Sequence, residues 1–145
     1  MSEELQIITT NWAQHSPQLR EIRTAVFIAE QHVPADLEWD EYDTQSIHFL
    51  AQLNNQPVAT ARLKPDGQIG RMAVIKSKRH QGIGKKLLAS VLLHAEKHGH
   101  RMVYLHAQKQ ATDFYKQFGF IYTGHEFTDA GIPHQAMYQQ LNNKT

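Results

Sequence analysis

The segment RHQGIGKKLL, residues 79–88, joins an apolar strand-like run, QIGRMAVI (68–75), to a helix-like run. The apolar stripe of that second run is Leu87, Leu88, Val91, Leu92 and Ala95, and Gly99 is its expected stop. Arg79, His80, Lys85 and Lys86 supply charge or potential charge, and Gly82 and Gly84 leave the backbone uncovered. A glycine-rich turn at a helix N-terminus presents backbone N–H groups and the positive end of the helix dipole, which suits a phosphate. Glycine matters because no Cβ blocks the approach. Spacing excludes two familiar phosphate loops. A dinucleotide fingerprint would place its third small residue at Leu87, and its strand would open the chain. A nucleoside-triphosphate loop would need glycine where Arg79 stands and Ser or Thr where Lys86 stands.

The rest of the chain predicts an ordered series of elements. Leu5–Thr9 reads as a short strand. SPQLREIRTAVFIAEQ follows as a helix with Ser16 as N-cap and Pro17 at the first helical position, carrying Leu19, Ile22 and Val26 on one face. Pro34 ends it, and PADLEWDEYD is an acidic connection without period. Ile47–Leu53, Val58–Leu63 and Gln68–Ile75, separated by NNQP and KPDG, predict three antiparallel strands. Met102–Leu105 is a further strand, joined to 68–75 through the long helix and so expected to be parallel to it. ATDFYKQFGF predicts a short helix stopping at Gly119. IYTGHEF and HQAMYQQL predict a final hairpin around TDAGIP. The sum is an α+β (mixed α/β) fold, a central mixed sheet of about six to seven strands flanked by helices, in one domain spanning residues 1–145.

Composition narrows the function classes. The chain has no cysteine, so disulfides, Cys-ligated zinc and a cysteine nucleophile are excluded. A net charge of +1 is far from that of a general nucleic-acid binder. No apolar run reaches the roughly 18 residues a membrane helix needs, and the N-terminus lacks the pattern of a secretory signal, so a cytoplasmic protein is expected. Of the ten histidines, only His94 and His98 share a helix face at metal-ligand spacing. Ala95 stands where a zinc protease carries Glu, and two ligands leave zinc half coordinated, so no metal is expected.

Arg79, Gly82 and Gly84 match the pattern Arg/Gln-x-x-Gly-x-Gly/Ala between a strand and a helix. Here the chain resembles the GNAT superfamily of acyl-CoA-dependent N-acyltransferases, whose loop wraps the pyrophosphate of coenzyme A. The element order is similar over most of the chain. FYKQFGF resembles the family's second cofactor-contacting region, and REIRTAVFIAEQHVP, the acidic stretch to Asp43 and DAGIPHQAM resemble the ElaA-like or YjcF-like branch.

The resemblance implies an acetyl-CoA-dependent N-acetyltransferase acting on a primary amine of a small molecule or peptide. It implies that Arg79, His80, Gln81, Gly82, Ile83, Gly84 and Lys85 receive the cofactor phosphates, with the charges of Arg79 and Lys85 adding attraction. Met72, Ala73 and Val74 pair with the pantetheine arm and offer an N–H to the thioester oxygen, and Phe114 lies beside the cofactor. Tyr115 falls where many members carry a tyrosine near the cofactor sulfur. A phenol with a pKa of about 10 stays protonated at neutral pH and can donate to a departing thiolate.

A proton acceptor is needed as well, because an amine with a pKa of about 10.4 is neutral in only roughly one molecule in two thousand at pH 7. Glu38 and His134 are the candidates, among the carboxylates Glu30, Glu38, Asp40, Glu41 and Asp43 and the GIPH loop. A solvated acidic loop is the plain alternative for each carboxylate. His48 and Arg71 are further candidates for the acceptor side. A catalytically silent CoA-binding sensor shares the cofactor residues and differs in releasing no thiol. A nucleic-acid module built on KSKRHQGIGKK lacks a basic face with aligned aromatics. A homodimer is left open.

Overall fold

A computed structural model describes residues 4–141. The chain runs β1 (Leu5–Thr10), α1 (Trp12–Arg23), a π-helical stretch (Thr24–Glu30), α2 (Ala35–Glu38), a 3₁₀ turn (Glu41–Thr44), β2 (Ile47–Leu53), β3 (Gln56–Leu63), β4 (Gln68–Val74), α3 (Ile83–Lys97), β5 (Met102–Gln108), α4 (Thr112–Lys116), β6 (Ile121–Asp129) and β7 (Ile132–Gln140). One seven-stranded sheet has the order β1-β2-β3-β4-β5-β7-β6. All its neighbours are antiparallel except β4 and β5, which are parallel as the crossover through α3 requires.

Both faces of the sheet centre are covered, which explains the near-continuous apolar reading of β2. Phe49 and Ala51 of β2 pack with Leu87, Leu88 and Val91 of α3, whereas Leu50 packs with Leu19, Ile22, Val26 and Phe27 on the other face. The stripe expected on α3 is buried apart from Leu92, which is half-buried.

Three local readings change. The first helix opens at Trp12 and not at Ser16, because the Asn11 side chain accepts from the Gln14 N–H at 2.9 Å. A break at His15 (φ −131°, ψ 19°) precedes Pro17, and the helix then continues into the π-helical stretch, where Gln31 N–H bonds the Val26 carbonyl at 3.0 Å. Such stretches are frequent at functional sites. The acidic connection is not a solvated loop: it forms α2 and the 3₁₀ turn, and Glu38 and Asp43 are buried. The last hairpin is longer than expected, since Thr128 pairs with Pro133 and Asp129 with Ile132. The turn is thereby reduced to Ala130 and Gly131, both at positive φ, as a two-residue hairpin turn of this hand demands.

His48 belongs to this architecture and not to the acceptor side. It is fully buried against the Trp12 ring (5.3 Å), and its Nε2–H donates to the Asp43 carbonyl at 2.8 Å. A carbonyl only accepts, so the proton sits on Nε2 and the buried Nδ1 is left without a partner. Burial depresses its pKa, the Asp43 bond and charge pulling the other way. The unfolded chain therefore binds the proton first on acidification. Its stability contribution is full above the unfolded value, about 6.5, and is lost as pH falls below it. Urea unfolding as a function of pH is expected to show a decline starting near pH 6.5 and a shallower one in His48→Gln. Superimposable profiles would show that His48 is not part of that decline.

Candidate functional site

The loop after β4 has the conformation its glycines suggest. His80 and Gly82 lie at positive φ (65° and 82°), and Gly82 is the N-cap of α3. The first intrahelical bond runs from Lys86 N–H to the Gly82 carbonyl, so the amides of Ile83, Gly84 and Lys85 precede it without helical partners. No side chain caps this end and no acid lies in its first turn. A Cβ on Gly84 would meet Phe114 at 3.6 Å and Val74 at 3.8 Å, which places α4 directly against the loop. His80, Gln81 and Lys85 are exposed, whereas the Ile83 side chain is in the core and leaves its amide for the loop. An open set of N–H groups with no competing carboxylate fits a pyrophosphate.

Arg79 departs from the expected picture. Its guanidinium makes a two-pronged ion pair with Glu30 (2.7 and 2.6 Å), and its Nε–H donates to the Val74 carbonyl at 2.9 Å. Through this bond Arg79 lowers the pKa of Glu30, and Glu30 raises that of Arg79. The Arg79 charge is thus matched at close range. The side chain ties the loop to the π-helical stretch and leaves Lys85 and Lys86 as exposed cations at the start of α3.

Beside the loop the sheet opens. β4 and β5 pair only through Gln68 with Tyr104 and Ile69 with Leu105, and then diverge. Within β4, Ala61 of the neighbouring strand faces both Arg71 and Met72, because Thr60 pairs with Ala73 and Arg62 with Gly70. Arg71 sits at φ 49°, so this is a bulge with one residue in the left-handed region. The resulting wedge holds a cavity of about 250 Å³. Glu38, Arg71, Met72, Tyr115 and His134 all line it, so four sequence-predicted residues 96 positions apart at the extremes share one space with Arg71. Ala73 points instead into the core beneath α1, and Val74 packs against Gly84.

Tyr115 is enclosed by Phe114 (5.2 Å) and Phe120 (5.9 Å), both edge-on, and its hydroxyl donates to the Met72 Sδ at 3.6 Å. Burial pushes its pKa up to about 12, so the phenol is protonated at neutral pH. His134 is held differently. Its Nδ1–H donates to the Ile132 carbonyl at 2.7 Å, which leaves the lone pair on Nε2.

Glu38 is anchored by arginines. Its Oε2 accepts from Arg23 Nε (2.8 Å) and lies 3.1 Å from Arg71 Nε. Arg23, wholly buried, also reaches both oxygens of Asp43 (2.8 and 3.3 Å) and the Glu38 carbonyl (2.8 Å), while the Trp12 and Trp39 rings lie 5.4 and 5.0 Å from its guanidinium carbon. Arg62 joins Asp40 and Asp43 at 2.7 and 3.0 Å. Burial pushes the Glu38 carboxyl up, with Arg71 and Arg23 pulling against it. For Asp43 burial acts in the same direction but is outweighed by the bonds and charge of Arg23, helped by the Asp40 N–H and Arg62, and its pKa falls.

This set of bonds pins the segment carrying Leu37 and Glu38, one wall of the cavity. Sequence reasoning missed Arg23 because a charge on a helix is ordinarily solvated; its only signal was its place within the apolar LREIRTAV stretch. His106, Gln31 and Gln108 were missed as well. His106 and Gln108 alternate with buried Leu105 and Ala107, a half-buried strand pattern that marks a polar face.

A family description, "Acetyltransferase (GNAT) domain", matches residues 12–141. The chain belongs to the GNAT family. The GNAT domain is 36% identical over 132 residues to the uncharacterized N-acetyltransferase YjcF of Bacillus subtilis, covering 86% of this chain and 94% of that one. The crystal structure of Escherichia coli ElaA is 29% identical with a TM-score of 0.83, covering 96% of this chain and 100% of that one. An acyl-CoA N-acyltransferase from Pseudomonas aeruginosa is likewise 29% identical with a TM-score of 0.84, covering 94% and 99%. Among the described residues of the GNAT domain no helix is long and apolar enough to cross a membrane. No group of three or more potential metal ligands converges among them either, and His94 and His98 stack on each other at 4.0 Å.

Proposed function

We propose that this GNAT domain transfers an acetyl group from acetyl-CoA to a primary amine of a small molecule or peptide. The observation that carries this reading is the wedge lined by Arg71 and Met72 of the bulged β4 and by Tyr115, whose neighbour Phe114 lies against Gly84 in the loop of amides without helical partners. Backbone N–H groups from His80 to Lys85 receive the phosphates, and Phe114 flanks them. Met72 to Val74 align the pantetheine arm, and an N–H of this out-of-register stretch faces the thioester oxygen. A donor of that kind is worth about 3 kcal/mol where charge develops. Tyr115 protonates the leaving sulfur. His134, in preference to Glu38, takes up the proton that the amine releases, directly or through a neighbouring group. Protonating Glu38 would weaken two charge-assisted contacts that hold the cavity wall, whereas the His134 Nε2 carries a lone pair and its Nδ1–H is already oriented.

Thermal unfolding with added acetyl-CoA tests the donor. At 100 times its dissociation constant a ligand adds about 2.7 kcal/mol to the native state, so a clear upward shift in Tm is expected, and an unchanged Tm excludes the reading. A thiol-release screen over primary amines then separates an enzyme from a silent CoA binder, which would show the shift and release no thiol.

A further inference from the structure

We propose that His106 accepts the proton of the attacking amine and that His134 carries it outward, the two imidazoles acting in series; this rests on the acetyl-transfer reading above. The register orders them. Leu105 is the last residue of β5 paired with β4, so His106 is the first one past the apex of the wedge. His134 lies opposite Gln108, two residues further out, about 7 Å along the strand. Both line the cavity, and His106 is carried by β5, the strand beside β4, whereas His134 is on β7, one strand further from the bulge where the thioester is placed.

The surroundings of His106 suit the task. Lys64 Nζ donates to the Gln68 Oε1 at 3.0 Å, which turns the Gln68 amide nitrogen toward the His106 Nδ1. The lone pair therefore lies on Nδ1 and the proton on Nε2. At 3.5 Å the Gln68 contact orients the ring without holding that lone pair against a stronger donor such as an ammonium. Phe127 contacts both imidazoles, edge-on to His106 at 5.1 Å and stacked on His134 at 5.7 Å, and orients both rings. The charged and titratable groups around His106 are His134 on β7, Asp129 at the end of β6, Tyr104 on its own strand and Lys64 in the turn after β3, with Glu38 and Arg71 on the opposite wall. Burial, then His134 and Lys64, hold the His106 pKa below its ordinary value against Asp129, so the ring is neutral when an ammonium arrives.

The protons balance. The ammonium gives one proton to His106 Nδ1 and becomes a neutral amine. Its lone pair forms the C–N bond, the C–S bond breaks, and the electron pair leaves on sulfur. The sulfur takes the Tyr115 proton, the second nitrogen proton restores Tyr115, and the His106 proton leaves by way of His134 to solvent. The net products are an amide, a thiol and one proton.

The test compares wild type with His106→Gln, with His106→Asn as a second isostere should the first fail to fold, using the amine that gives the fastest thiol release. The expected result is a loss in kcat/KM of about 10²–10⁴-fold at pH 7, with the acetyl-CoA shift in Tm retained. The loss should shrink toward pH 10, where the amine deprotonates itself, and added imidazole should partly rescue His106→Ala. Wild-type rates in both isosteres, or an equal loss at every pH without rescue, overturn the proposal alone. If wild type shows neither a Tm shift with acetyl-CoA nor thiol release with any amine, the acetyl-transfer reading falls and the proposal falls with it.

Discussion

Replacing Arg23 with methionine is expected to lower stability by about 3–5 kcal/mol, the usual cost of removing one partner from a buried ion pair. The reason is specific to the carboxylates left behind. Arg23 serves the Glu38 Oε2, both Asp43 oxygens and the Glu38 carbonyl from a site with no solvent exposure. Arg71 still reaches Glu38 and Arg62 still reaches Asp43, so the loss should fall toward the lower end of that range. Urea unfolding with an unchanged m-value measures it. Restoring neutrality by adding Glu38→Gln and Asp43→Asn should recover part of the loss, because unpaired charge is the main penalty. A methionine variant within about 0.5 kcal/mol of wild type would mean that surviving arginines compensate fully. The variant should also bind acceptor more weakly than donor, since Leu37 and Glu38 line the cavity while the α3 loop is held separately through Arg79 and Glu30.

Tyr115→Phe should lower kcat by about 10²–10⁴-fold, the range for a lost general acid. Folding should be nearly unaffected. The hydroxyl has one weak sulfur contact, and the ring, held between Phe114 and Phe120, is unchanged by the substitution. Acetyl-CoA should still raise Tm, because the amides proposed to receive its phosphates lie at the start of α3, whereas Tyr115 is on α4. Single-turnover thiol release at saturating donor is the measurement. Turnover equal to wild type would remove Tyr115 from the chemistry and leave it a cavity wall.

Much of the fold follows from short-range chemistry, and those readings held. Alternation, turn residues and a 3.6-residue stripe are local signals, so β2, β3, β4 and α3 were found within a few residues of their observed bounds. The parallel pairing of β4 with β5 followed from the handedness of a crossover. The loop was legible for the same reason: positive φ at Gly82 and exposed amides at a helix start are properties of a few adjacent residues. Errors arose where a residue outside the segment being read changed the outcome. Ser16 looked like a cap until Asn11 took that place, and the acidic stretch looked solvated until Arg23 and Arg62 drew Glu38 and Asp43 inward.

The candidate site divides along the same line. The glycines and cations at 79–85 could be picked out from the chain alone, because their chemistry depends on the loop itself, whereas the phenol at 115 was marked by its resemblance to the family pattern. That Arg79 is neutralised by Glu30, that His48 faces the core and His106 the cavity, and that Gln31 meets Gln108 across 77 residues depended on the packed molecule. Local sequence determines what a segment can form and which groups it carries. Only tertiary structure decides which of those groups lose water and which find a partner, because burial and ion pairing are set by the strands and helices brought against them.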